Sequence, residues 1–116
     1  MTGVELIWAE RDRQIKKLGW TAKHDDSEHD EGELAVVAAL YATPVRLYHM
    51  DFFPAGVEFK DPWPDGWDEG YDKRPVDRLN TLRDNAVLPA KARIKQLAKA
   101  GALIAAEIDR LQRAMK

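Results

Sequence analysis

The sequence predicts a mainly α-helical domain with a long C-terminal helix and room for one short β-hairpin. Apolar residues recur at helical spacing in the first eighteen residues. A second stripe of this kind runs from Leu34 to Tyr41, and a third fills the last quarter of the chain. The 116 residues are one domain's worth, so 1–116 is read as a single helical domain.

Thr2-Gly3-Val4-Glu5 reads as a capping box, in which the Thr2 hydroxyl and the Glu5 carboxylate each take a free backbone amide. Val4, Ile7, Trp8, Ile15 and Leu18 follow on one side, and Arg11 and Gln14 share it. Lys16-Lys17-Leu18-Gly19 is a stop signal, with cations in the last turn before a residue that tolerates left-handed geometry. The first helix therefore spans Gly3 to Leu18, and its stripe places Trp8 in the core.

Trp20 to Glu31 is polar and acidic and reads as a loop. Asp30-Glu31-Gly32-Glu33 has the form of a second capping box. A helix then uses Leu34, Val37, Ala38 and Tyr41, and Thr43-Pro44 limits it, because the residue before proline disfavours helical geometry. Val45 to Lys60 is rich in β-branched and aromatic residues and fits either a short hairpin turning at Pro54 to Gly56 or an irregular arm. Asp61 to Pro75 has no periodicity and reads as an ordered loop or flap. Pro75 is placed to open a third helix through Val76, Leu79, Leu82 and Val87, and Pro89 to open the last. Ile94, Leu97, Gly101, Ile104, Ile108, Leu111 and Met115 make a heptad-like seam over Ala90 to Ala114. That seam is longer than two short helices can cover, which predicts a homo-oligomer.

Composition narrows the function classes. The 45% hydrophobic and 33% charged content is that of a globular protein. A net charge of −2 gives no long-range pull toward nucleic acid or anionic membrane, so neither is an expected partner. No apolar run approaches the roughly 18 residues of a membrane span. The first residues lack a basic segment followed by an apolar one, so the expected location is cytoplasmic. Without cysteine, thiol catalysis, thiolate metal sites and disulfides are excluded. There is no glycine-rich phosphate loop, no G-x-S-x-G elbow and no His-x-x-x-His pair, and Ser27 is the one serine.

Four groups of residues carry candidate chemistry. Asp25, Asp26, His29 and Glu33 would offer hard oxygens and an imidazole to a divalent cation if the segment folded back on the next helix; the alternative is a solvated acidic loop at a helix N-terminus. Trp20, Trp63 and Trp67 would stack on a planar ligand or plug the core. Lys73 and Arg74, among the basic residues of the second half, would meet an anion or form solvated faces. Arg11, on an apolar stripe, requires a carboxylate partner from among Asp25, Asp26, Glu33 and Glu107. Trp20, His24 and His29 have no evident structural role.

Taken together, Glu10-Arg11-Asp12-Arg13-Gln14-Ile15, Gly19-Trp20-Thr21, His24-Asp25-Asp26 with His29, Gly32-Glu33-Leu34-Ala35, Trp63-Pro64 with Trp67, Lys99-Ala100-Gly101-Ala102-Leu103-Ile104 and Glu107-Ile108-Asp109-Arg110-Leu111 resemble a family of small accessory proteins of tailed phages and prophages. The resemblance covers both ends of the chain and is poor from Val45 to Lys60. It implies a host-cell cytoplasmic setting and, as for other small phage accessory proteins, action against host defence by capture of a cyclic nucleotide signal. The expected function is thus binding of a small anionic ligand, a nucleotide or cyclic nucleotide, without turnover. Its site would be Arg11, Trp20, His24, His29, Trp63, Trp67, Lys73 and Arg74. The chain is also faintly similar to all-α nucleotide pyrophosphohydrolases, which implies a Mg²⁺- or Mn²⁺-dependent alternative. Those enzymes carry Glu-x-x-Glu on one helix and Glu-x-x-Asp on another, and the second motif is not met here: the last helix has Glu107 and Asp109. A third reading is a protein-interaction module working through Val45 to Tyr71.

Overall fold

The computed structural model describes residues 1–115. Four helices, α1 (Gly3–Leu18), α2 (Ala22–Glu28), α3 (Glu33–Ala42) and α4 (Ala90–Ala114), and one antiparallel hairpin, β1 (His49–Phe53) with β2 (Gly56–Lys60), make it mainly α-helical. α4 is the spine: α3 and α1 pack along it, and α2 lies against it.

The local signals at α1 act as expected. Thr2 Oγ1 accepts from the Glu5 amide at 3.2 Å, and Glu5 returns the bond at 3.1 Å. Gly19 closes the helix at φ 73°. The hairpin forms rather than the irregular arm, pairing His49 with Lys60 through to Phe53 with Gly56, with Pro54-Ala55 at the turn. α4 begins directly after Pro89.

The loop expected over Trp20 to Glu31 instead contains α2. Thr21 caps it by accepting from the His24 amide, and its seven residues carry no apolar stripe for periodicity to detect. α2 is held by charge: Asp25 meets Arg11, and Asp26 meets Arg113 at the far end of α4. The capping box expected at Asp30-Glu33 does not form. Gly32 takes the N-cap position at φ 84° with no side-chain cap, and the Glu33 carboxylate turns back to the Glu31 amide.

No third helix follows Pro75. Asp77 Oδ1 accepts from the Leu79 and Thr81 amides at 2.8 and 3.0 Å, which offers the backbone a turn in place of helical bonds. Asn80 sits at φ 61°, and Val76 pairs with Leu82. The segment then fastens α3 to α4. Asn85 Nδ2 donates to the Leu40 and Thr43 carbonyls, and Gln96 Nε2 donates to Asn85 Oδ1, each at 2.8 Å. Arg93 takes the Tyr41 and Ala42 carbonyls. The free carbonyls at the end of α3 are thereby satisfied.

The core consists of Trp20, Leu34, Val37, Ala38, Tyr41, Ala100, Leu103 and Ala106, with Trp63 and Trp67 packed on it. Ala100 and Ala106 let α3 approach α4 closely. The expected seam does not supply this core. Ile94, Leu97, Ile104, Ile108, Leu111 and Met115 are exposed, and Gly101 faces Ile7, where an added Cβ would come within 2.5 Å of Ile7 Cδ1. Trp8 is 70% exposed, which corrects its core placement: it stands on the outer side of α1. Among the described residues, no helix is long and apolar enough to cross a membrane.

Candidate functional site

The loop of residues 61–74 folds over the junction of α1, α3 and α4 and closes an aromatic pocket of about 300 Å³. Charged side chains staple the loop in place. Arg74 donates to Asp61 at 3.0 and 2.8 Å and to Asp72 at 2.9 and 2.7 Å, with its guanidinium 5.2 Å from the Trp63 ring. Burial works against the Arg74 charge, but its hydrogen bonds to Asp72 and Asp61 outweigh it and hold its pKa above the ordinary value. The Tyr41 hydroxyl ties down the other end, donating to the Tyr71 carbonyl at 2.7 Å and accepting from the Lys73 amide at 3.0 Å. Burial pushes the Tyr41 hydroxyl up to about 12, so it stays a protonated donor.

Trp20, Trp63, Trp67, Tyr41 and Tyr71 wall the pocket. Trp20 packs on Trp67 with ring centres 5.1 Å apart, and Trp63 meets Trp67 edge-on at 5.9 Å. α1 contributes Glu10, Arg13 and Gln14, α4 contributes Lys99, and the loop contributes Lys73. Glu10 accepts from Arg13 at 2.9 and 2.7 Å and lies 3.7 Å from the Lys99 amine. Burial would raise the Glu10 pKa, but the Arg13 hydrogen bonds and the Lys99 charge outweigh it and hold it low. Burial lowers that of Lys99, with Glu10 opposing.

Several polar atoms of this wall have no partner. Gln14 is 2% exposed; its Nε2 reaches Glu10 at 3.5 Å, whereas its Oε1 accepts nothing. The indole N–H groups of Trp63 and Trp67 are also buried without an acceptor. Buried polar groups left unsatisfied cost roughly 1–3 kcal/mol each, so these three atoms are the unexplained polar groups among the lining residues.

The structure divides the expected ligand residues into three sets. Trp20, Trp63, Trp67 and Lys73 line the aromatic pocket. Arg11 and Arg74 do not, because Asp25 occupies the first and Asp61 with Asp72 the second. His24 and His29 lie behind the Trp20–Trp67 pair, on a polar cavity of about 290 Å³ with Glu28 and Asp68. Glu10, Arg13, Gln14, Tyr41, Tyr71 and Lys99 were missing from the expected set. For Gln14 a signal was present, since a polar residue on the apolar side of α1 must find a partner or serve as one.

The expected metal set does not converge. Asp25 and His29 meet, His29 Nδ1 lying 2.9 Å from Asp25 Oδ1, but Asp26 turns to Arg113 at 2.8–3.1 Å and Glu33 to the Glu31 amide. Of the four carboxylates open to Arg11, Asp25 is the partner, at 3.3 Å. Glu107 is taken by Arg110. Among the described residues, no paired acidic helices gather ligand atoms as the pyrophosphohydrolase alternative requires. Comparison with family models, with curated proteins and with solved structures finds no match.

Proposed function

We propose that the aromatic pocket captures a small planar anion of the nucleotide class, cyclic nucleotides included, and holds it without turnover. The observation that carries this reading is that three residues lining the pocket, Gln14, Trp63 and Trp67, each keep a buried polar atom without a partner. A base stacked on Trp63 or Trp67 would donate an amine proton to Gln14 Oε1 once the Gln14 side chain turns into the pocket. Its phosphate would meet Lys73 and Lys99, because Glu10 already occupies Arg13. The pocket volume is at the lower end of the range for small-molecule sites, roughly 300–1,000 Å³, and favours a mononucleotide over a dinucleotide. Glu10 is the carboxylate lining the pocket, and with Arg13 and Lys99 holding its pKa low it is a poor general base, which favours capture over catalysis.

The resemblance to phage accessory proteins supplies a setting: a host-cell cytoplasm in which removing a cyclic nucleotide signal blunts a defence response. Calorimetry against a panel of linear and cyclic mononucleotides tests the reading. One-to-one binding that Gln14→Leu weakens at least tenfold is the expected result, and silence across the panel overturns it.

A different observation favours protein interaction as a second reading. On the hairpin, Phe52 is 74% and Phe59 62% exposed, beside Met50, Phe53 and Val57. Paired capture with intact and Phe52→Ser/Phe59→Ser protein tests that role. The exposed α1 and α4 side chains keep self-association as a proposal, which sedimentation would decide.

A further inference from the structure

We infer that His24, Asp25 and His29 form a site for a divalent transition metal of the zinc class. They sit behind the tryptophan pair and take no part in the aromatic pocket. α2 is too short to present a stripe, yet it places two of these residues side by side. His29 caps its C-terminus, with its amide donating to the Asp25 carbonyl and its ring Nδ1 2.9 Å from Asp25 Oδ1. Each residue offers one ligand atom, and the three atoms lie within 4.8 Å of one another. Zinc binds imidazole nitrogen and carboxylate oxygen at roughly 2.0–2.2 Å in tetrahedral geometry, which sets its ligands about 3.4 Å apart. Small side-chain rotations therefore close the site.

The burial of these groups is the second observation. Asp25 is fully buried, His29 is 4% exposed, and His24 Nδ1 is buried with no hydrogen-bond partner. An imidazole nitrogen shut away from water without a partner is a cost that a metal ion removes. Two imidazoles with one carboxylate suit zinc, cobalt or nickel, whereas magnesium prefers an all-oxygen shell. Three protein ligands leave the fourth position facing the polar cavity, where Glu28 and Asp68 add negative charge. Arg11 opposes this charge from the other Asp25 oxygen, but the same contact fixes the carboxylate in place.

The test uses protein stripped with EDTA and titrated with Zn²⁺ by calorimetry, with Co²⁺ added separately. Because the His29 ring lies 4.7 Å from Trp67, bound Co²⁺ should quench tryptophan fluorescence and develop a visible absorption band. The expected result is one Zn²⁺ per chain, no heat with Mg²⁺, and a rise in Tm with Zn²⁺. His24→Ala, at a part-buried position, should keep the fold while weakening Zn²⁺ about 100-fold or more and abolishing the Tm rise. Asp26→Asn and His49→Ala should bind like the parent. Absence of binding to the parent, binding unchanged in His24→Ala, or binding lost in His49→Ala would each overturn the assignment.

Discussion

The corner of residues 20–33 and the hairpin of residues 49–60 invert the usual relation between composition and burial. The corner is acidic and polar, yet it contains Trp20, Asp25 and His29, all buried. The hairpin carries three phenylalanines, a valine and a methionine, yet nearly every residue in it is exposed. What a segment touches decides its burial. The corner is tied to α1 and α4 by Arg11–Asp25 and Arg113–Asp26, so its polar groups go inward already paired. The hairpin is a two-stranded sheet with no helix laid over either face, so its apolar side chains have no surface to cover.

This contrast can be broken most sharply at Asp25. Replacing it with alanine strands Arg11 and His29 without a carboxylate, and the loss of one partner of a buried ion pair costs about 3–5 kcal/mol. Urea denaturation should show an unfolding free energy lowered by that amount, and a loss under about 1 kcal/mol would mean the corner is not held by charge. Thr21→Ala removes the α2 cap and should cost about 1 kcal/mol in the same assay, since α2 has no apolar stripe to compensate. Phe52→Ser with Phe59→Ser should change stability by no more than about 1 kcal/mol, because both rings are largely exposed and their contacts, such as Tyr48 edge-on to Phe59 at 6.0 Å, stay within the hairpin. A larger loss would show that the hairpin face is covered in solution.

The last prediction concerns the link between the hairpin and the pocket. Asp61, just after β2, is half-exposed: burial would raise its pKa, but Arg74 outweighs burial and holds it below the ordinary 3.8. A depressed folded-state value means the clamp stabilises the protein above that ordinary pKa and loses its effect as pH falls through the lower folded value. Trp63 fluorescence should therefore stay constant from pH 7 to about 4.5 and change below about pH 4, with the change shifted or lost in Asp61→Asn. A flat acid profile in the parent protein would sever the clamp from the pocket wall.

Some of the candidate site is legible in the chain itself. The need of Arg11 for a carboxylate follows from its position on an apolar stripe, and Trp20, Trp63 and Trp67 stand out because loop tryptophans exposed to water are costly. The rest of the pocket is not legible. Tyr41 reads as an ordinary member of the α3 stripe, and nothing in the spacing says that its hydroxyl anchors a loop thirty residues away. Lys99 is one of many cations on α4 until Glu10 is placed opposite it.

The sequence by itself determined the features that depend on a few neighbouring residues: the Thr2–Glu5 box, the left-handed Gly19, the turn at Pro54-Ala55 and the start of α4 after Pro89. Each of these rests on backbone preferences and hydrogen bonds among residues close in the chain. Only the tertiary structure decided that α2 is a helix, that Asp77 and Asn80 build a turn instead of a third helix, that Trp8 faces outward and that α4 buries Ala100, Leu103 and Ala106 while leaving the Ile104 and Ile108 side bare. Those choices turn on which packing buries apolar surface and pairs polar groups best. α4 carries two usable faces, and α3 packs on the one whose small residues allow the closer approach.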